Sequence, residues 1–297
     1  MKIGIITSVS KEYFYLAEEL VNSINSFPES KNIKICFLDS DLSDDQIERI
    51  KKKIYKIIKS YPIEAKYKNL IGKDYENLFL PEYFPEFDKY IHIDADAWVN
   101  SWSAIEYLIK ACDDGKIGVT SMGDRKIDKV TKINWIFKGV GTLKSQNFKH
   151  SLKKGFAIDI AREVGLSPHI NGGVFSLEKK SEFWKIWRKN FDKCIKVKPI
   201  YGSDQLALNL SVYIDKFPAD FLPHHCNWLP NPRNIIFDEK TNKFLDRFTP
   251  NYDIGIMHLA GGVIEPPFFK DIRFNNVLLD IVTTEGKIIK KELRFKG

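Results

Sequence analysis

Four cysteines are spread over 297 residues, at Cys36, Cys112, Cys194 and Cys226, and no two of them stand at a paired spacing. That argues against a zinc cluster or a disulfide framework and fits a reducing, cytoplasmic compartment. No apolar window approaches the length needed to span a bilayer. Met1-Lys2 runs directly into Ile3-Gly4-Ile5-Ile6, which leaves no room for the basic region, apolar core and cleavage site of a signal peptide. Internal repeats and low-complexity linkers are also missing. What is present is a hydrophobic content of 43%, enough for one sizeable core. The expectation is one large α/β domain with embellishments.

The net charge of +7 admits anionic partners. Much of the excess is diffuse: Lys51-Lys52-Lys53 follow Asp44, Asp45 and Glu48 and read as a solvated face. No nucleic-acid motif accompanies the charge, so no nucleic-acid partner is expected. The stretch from Lys287 to Gly297 mixes basic residues with Ile288, Ile289, Leu293 and Phe295. It reads as a terminal helix or frayed tail, with peripheral contact to an anionic membrane surface as the second expectation.

Strands and helices alternate along the first part of the chain. Ile3–Ile6, Ile33–Leu38, Ile63–Tyr67 and Lys89–Ile93 read as strands. Glu12–Ser26 and Trp102–Cys112 read as helices, and Ile117–Ser121 as a further strand. Ser43 and Gln46 form the capping box of a helix between them. Such alternation implies a mostly parallel sheet covered on both faces, which binds ligands beyond the carboxyl ends of its strands. Periodicity dissolves in the basic stretch 123–169, a candidate lid or acceptor-side insertion.

Asp94-Ala95-Asp96 falls at the carboxyl end of the apolar run Tyr90–Ile93. Two neighbouring carboxylates at a buried strand end need a cation or solvent to offset their desolvation. Residues i and i+2 of a strand point the same way, so both could reach one ion. Hard oxygen ligands suit Mg²⁺ or Mn²⁺ carrying phosphate oxygens. From the tripeptide alone, helix capping or plain solvation stays equally open. Three further segments carry chemistry. Asn171-Gly172-Gly173 precedes a strand at Val174–Leu177; it pairs an amide suited to a sugar hydroxyl with two residues that permit close backbone approach, although a turn would explain it as well. Gly202-Ser203-Asp204-Gln205 enters a helix, with Ser203 or Asp204 as its cap or, alternatively, Asp204 and Gln205 at the floor of a sugar pocket. His258, followed by Gly261-Gly262, is a third metal ligand candidate beside backbone amides open to a pyrophosphate.

The order of these elements resembles the family 8 glycosyltransferases, the group of glycogenin-like and bacterial lipopolysaccharide galactosyl- and glucosyltransferases. The resemblance runs from about Lys2 to Pro267. It also takes in Phe37-Leu38-Asp39, Asp88-Lys89-Tyr90 and Cys226-Asn227-Trp228-Leu229-Pro230. It implies a GT-A fold, a Rossmann-like α/β domain over residues 1–270 with 271–297 as a basic tail. It also implies a nucleotide-sugar donor, usually UDP-linked, bound with Mn²⁺ (or Mg²⁺). Asp94, Asp96 and His258 match the metal ligands, and Asp204 and Gln205 the catalytic pair. Thr7, Ser8 and Tyr13 match the region that holds the base. Ala95, Asn171, Gly172, Gly173, Gly261 and Gly262 fall among the expected donor contacts.

Three departures stand out. A Lys-Pro-Trp that holds the diphosphate is replaced by Val263-Ile264-Glu265-Pro266-Pro267, so Lys270 or Arg273 must supply the charge. The arginine position before the acidic pair is Asn77, and the acidic residue after the first strand is replaced at Val9 or Ser10. The resulting expectation is a retaining, metal-dependent hexosyltransferase that uses a glycan or lipid-linked acceptor. It would work in the cytoplasm or peripherally at the inner membrane face. Two alternatives remain: a non-catalytic nucleotide-sugar-binding protein of the same fold, and a phosphatase of the haloacid-dehalogenase type.

Overall fold

The β-branched run Ile3–Val9 forms β1, whose side chains alternate between two apolar clusters: Ile5 and Val9 face one, Ile6 the other. That alternation is the mark of a strand buried on both faces. The computed structural model describes residues 1–68, 70, 75–122, 131–137, 140–229, 234–260 and 271–296, with backbone alone for 131–137 and 140–144. After β1 come α1 (Phe14–Asn25), β2 (Ile33–Asp39), α2 (Asp44–Ile50), β3 (Lys56–Lys59) and the short α3 (Leu80–Tyr83). Next are β4 (Lys89–Ile93), β5 (Ala97–Val99), α4 (Ser103–Ala111) and β6 (Ile117–Ser121). A hairpin of β7 (Thr131–Phe137) and β8 (Val140–Ser145) leads to α5 (Gln146–Lys153) and α6 (Ile158–Leu166). Then follow β9 (Ile170–Glu178), α7 (Phe183–Cys194), α8 (Ser203–Tyr213) and β10 (Ala219–Leu222). The last part holds β11 (Ile235–Asp238), β12 (Lys243–Asp246), β13 (Ile256–His258), β14 (Leu279–Thr283) and β15 (Ile288–Lys291).

Among the described residues the main sheet has seven strands in the order β10-β6-β9-β4-β1-β2-β3. Only β9 runs against the rest, pairing antiparallel with both β4 and β6. The chain moves outward from β1 to β2 and β3, then returns to place β4 on the other side of β1. The reversal opens a crevice at the carboxyl ends of β1 and β4. One face of the sheet packs under α7 and α8, with Trp184, Trp187 and Phe191 against Tyr90 and Phe175. The other face is covered by α1 and α4, with Phe14, Leu20, Ile105 and Leu108 against Ile91 and Ile93.

Ser43 caps α2 as expected, accepting from Gln46 N–H at 3.4 Å while Ser43 N–H donates to Gln46 Oε1 at 3.1 Å. The third strand differs: it is Lys56–Lys59, and Ala65–Tyr67 is a 3₁₀ turn. Pro62, which has no N–H, precedes that segment, while Ile57 and Ile58 pair with Phe37 and Leu38 on β2. Residues 287–296 are neither helix nor frayed tail. They contribute β15, which pairs with β14 in a second sheet ordered β12-β11-β14-β15. The basic stretch after Met122 contains the β7–β8 hairpin and two helices, α5 and α6, packed against α8; residues 123–130 and 138–139 lie outside the described set. Among the described residues no helix is long and apolar enough to cross a membrane.

Candidate active site

Asp94 follows the last residue of β4, and its N–H donates to Gly173 O on β9 at 2.8 Å. The chain then turns, with Ala97 N–H donating to Asp94 O at 3.2 Å. β5 pairs antiparallel with β13, setting Ala97 opposite His258, and Leu259 N–H donates to Asp96 O at 2.8 Å. These backbone bonds gather Asp94, Asp96 and His258, whose candidate ligand atoms all lie within 4.8 Å of one another. The two carboxylates thus converge across a turn between β4 and β5, not along one strand face.

Hydrogen-bond polarity fixes the state of His258. Gly173 N–H donates to Asn171 Oδ1 at 3.0 Å, so that oxygen is the acceptor end of the amide. Asn227 Nδ2 donates to the same oxygen at 3.1 Å, which turns Asn227 Oδ1 toward His258 Nδ1 at 2.8 Å. An amide oxygen only accepts, so Nδ1 carries a proton and Nε2 faces the acids. Nε2 lies 3.4 Å from Asp94 Oδ2 and 3.3 Å from Asp96 Oδ1. Three atoms with lone pairs cannot converge in this way without a cation among them. With a proton in that role, burial disfavours the charged ring, but the hydrogen bonds to Asp94 and Asp96 prevail and raise His258 to about 10. Against desolvation, the hydrogen bonds from His258 and His92 hold Asp94 well below the usual carboxylate range.

The residues present fit a divalent ion. Two carboxylates and an imidazole with its second nitrogen anchored form a donor set suited to Mn²⁺, less so to Mg²⁺. Gly173 is part of the fit: a Cβ at this position would collide with Asp94 Oδ2 and His258 Cε1. The Asn171-Gly172-Gly173 segment lies inside β9, not in a turn before it. Of its two glycines, Gly173 meets a need for close approach.

Polar side chains also support Asp94 from behind. His92, fully buried and stacked on Phe175 at 5.1 Å, places Nε2 3.0 Å from Asp94 Oδ1. Asn77 Nδ2 lies 3.2 Å from the same nitrogen, and Asn77 Oδ1 accepts from Ser8 Oγ at 3.2 Å. Asn77 and Ser8 therefore join the cluster through His92. Thr7 is fully buried on β1, and its hydroxyl has no partner among the described residues. Ala95 packs into the apolar cluster under α1 and α4.

At the Asp96 edge, Arg273 Nη1 donates to Tyr13 Oη at 2.9 Å and lies 3.5 Å from Asp96 Oδ2. Asp271 engages the same guanidinium through Nη2 at 2.6 Å. Gly261, Gly262 and Lys270, expected around the diphosphate, lie outside the described residues.

On the other side of Gly173, Gln205 Oε1 accepts from Gly172 N–H at 3.3 Å. Gln205 stands in the first turn of α8, whose N-cap is Gly202 at φ +71°. Neither Ser203 nor Asp204 caps this helix through its side chain, contrary to expectation, because a left-handed glycine makes the entry. Asp204 is half-buried, and its carbonyl accepts from Trp187 Nε1 at 2.9 Å. Sequence reasoning assigned no role to His92, Asn227 or His169. For His92 a signal existed, because it shares a strand face with the position of Asp94.

No family model matches the sequence, and no curated protein matches it. Solved structures do. The galactosyltransferase LgtC in complex with donor and acceptor sugar analogues aligns at a TM-score of 0.52 and 15% identity, over 87% of this chain and 87% of that one. An active-site mutant of LgtC gives 0.53 and 14%, over 88% of each chain. The apo form of the bifunctional glycosyltransferase WbbM gives 0.53 and 16%, covering 88% of this chain and 46% of that chain. At such identities the likeness establishes the fold: a GT-A architecture with a mostly parallel central sheet.

Proposed function

We propose that the protein is a retaining, Mn²⁺-dependent hexosyltransferase that moves a sugar from a UDP-linked donor to a glycan or lipid-linked acceptor. The observation that carries this reading is the convergence of Asp94, Asp96 and His258 at the switch point, around a cradle that only glycine at 173 leaves open. Those three residues would hold the ion, which when bound supplies electrostatic stabilisation to a departing nucleoside diphosphate. The fold shared with LgtC and WbbM supports a glycosyl transfer chemistry, and the sugar analogues bound to LgtC support a donor and an acceptor.

The chain's own groups take the remaining roles. Thr7, Ser8 and Tyr13 lie toward the base, and Asn77 supports Asp94 through His92. Asn171 and Gly172 would border the donor sugar, with Ala95 and Gly173 among the other donor contacts. Gly261 and Gly262 offer backbone amides to the pyrophosphate, and Lys270 or Arg273 the missing positive charge. Asp204 would orient the sugar. Gln205 would stabilise positive charge at the anomeric carbon, since an amide oxygen is a poor nucleophile but a fixed dipole. LgtC has a glutamine in its active site, changed to glutamate in one of its solved structures, and this supports a glutamine in the active site here. The acceptor would then attack from the leaving-group side, with a donor phosphate oxygen taking its proton. The region 123–169 would serve the acceptor side of the catalytic unit. The basic segment 271–297 would allow contact with the inner membrane face of the cell.

One observation favours a second reading, a binding protein without turnover. Asp271 already engages Arg273, which leaves less of that charge for a diphosphate. A phosphatase reading has less support, because the acidic pair follows β4 and not the first strand. A thermal-shift panel of nucleotide sugars with and without Mn²⁺ tests the proposal through mass action. Stabilisation by one UDP-sugar only with Mn²⁺, and a product with retained anomeric configuration by NMR, are the expected results. Inversion would overturn the mechanism, donor binding without transfer or hydrolysis would favour the second reading, and phosphate release would favour the phosphatase.

A further inference from the structure

A chain of side chains links strand β9 to Gln205, and its polarity can be read from the backbone outward. Ile170 N–H donates to Asn209 Oδ1 at 2.9 Å, and Asn209 Nδ2 donates to Ile170 O at 2.9 Å. Backbone donors and acceptors are unambiguous, so the amide of Asn209 has one orientation. Asn209 Nδ2 also donates to Gln205 O, one helical turn earlier, at 2.8 Å. With Asn209 Oδ1 an acceptor, Asn147 must present Nδ2 to it, at 3.0 Å. Asn147 Oδ1 then faces His169 Nδ1 at 3.0 Å and can only accept. His169 therefore carries its proton on Nδ1.

His169 is 6% exposed. Burial and the neighbouring His150 push it down to about 4, so the ring is neutral near pH 7. A neutral ring protonated on Nδ1 has a lone pair on Nε2. That nitrogen lies 2.8 Å from Gln205 Nε2, which must donate to it. From the opposite side, Gly172 N–H donates to Gln205 Oε1. Two independent ends of the network, Ile170 and Gly172, thus demand the same orientation of one amide.

We infer that His169 is a positioning residue that locks the Gln205 amide with its oxygen toward Gly172 and the donor side. The inference rests on the glycosyltransferase reading for its consequence, but not for its geometry. An amide free to rotate would present its NH₂ group to a developing positive centre as often as its oxygen. Fixing the dipole in advance removes that reorganisation. His169 acts through Gln205.

The test has two arms on the full-length protein. Long-range ¹H–¹⁵N NMR at neutral pH, assigned with His169→Gln, reads the tautomer directly. Protonated Nδ1 with a bare Nε2 is expected; an Nε2–H tautomer or a doubly protonated ring would overturn the inference whatever the protein catalyses. In the second arm, His169→Phe should lower kcat for the donor that binds by about 100-fold, as a misaligned reacting group does. The KM for that donor should stay within about threefold, since the binding contacts are untouched. His169→Gln keeps an acceptor near the place of Nε2 and should recover kcat to within about tenfold of the parent, the scale of one hydrogen bond. Equal losses in both variants, or a loss in KM alone, would overturn the inference. If the parent protein binds no nucleotide sugar at all, the glycosyltransferase reading fails, and the tautomer still decides the role of His169.

Discussion

Asn227 Oδ1 lies 2.8 Å from His258 Nδ1, and this contact decides which ring nitrogen meets Asp94 and Asp96. Asn227 is fully buried in the 3₁₀ turn His224–Asn227, and Asn171 sets its amide orientation. Asn227→Leu should therefore free the ring and weaken Mn²⁺ binding by about 10–100-fold, the usual effect of losing such a partner. Asn227→Asp keeps an acceptor and should hold most of the affinity. Titration calorimetry with Mn²⁺ compares the two; equal affinities for the Leu variant and the parent would remove Asn227 from the site.

Gly173→Ala should abolish Mn²⁺ binding, because the added methyl would take the space between Asp94 and His258. Gly172→Ala meets only Leu208 Cδ2, at an ordinary 3.4 Å, and should leave Mn²⁺ binding intact. Far-ultraviolet circular dichroism would establish that both variants fold. Metal binding by Gly173→Ala equal to that of the parent would contradict the geometry.

The metal-free site should respond to pH with a definite sign. His258 rises from 6.5 to about 10 on folding. Its stabilising contribution is then fully present below about pH 6.5 and is lost as pH rises through about 10. Asp94 runs the opposite way: lowered from 3.8, its contribution is present above that value and is lost as pH falls through its folded pKa. Mn²⁺ must displace the His258 proton, so its affinity should climb by about tenfold per pH unit from pH 6 to pH 8. Calorimetry in buffers of different ionisation enthalpy should count one proton released per ion. No release would mean that His258 does not ligate.

Arg273 lies 3.5 Å from Asp96 Oδ2 and, on the proposed reading, would supply the charge of the missing lysine. Arg273→Ala should weaken UDP binding in the presence of Mn²⁺ by at least about tenfold, the scale of a charge-assisted hydrogen bond. Unchanged UDP affinity would assign the charge to another residue.

The sequence made the sheet and the acidic pair legible for a physical reason. Buried runs such as Tyr90–Ile93 and the Ser43–Gln46 box are local signals, set by periodicity and by spacing within one turn. β3 was harder to see, because four residues at a sheet edge, Lys56–Lys59, are too short to show a period. β15 was misread because Ile288 is exposed while Lys291 packs its ammonium over Phe237 at 3.9 Å, which inverts the usual pattern. The His258–Asn227–Asn171 and Gln205–His169–Asn147 networks join residues dozens of positions apart. Nothing in local composition marks such pairs, so their polarity became readable only once the backbone donors were in place.

On the proposed reading, Asp94, Asp96 and His258 hold a divalent ion on which the donor diphosphate docks. Calorimetric titration of UDP into the protein with and without Mn²⁺, repeated for Asp96→Ala, tests it most directly. UDP is expected to bind only with Mn²⁺, and Asp96→Ala to abolish this binding while the fold persists. UDP binding of equal strength without the metal, or in the variant, would contradict it.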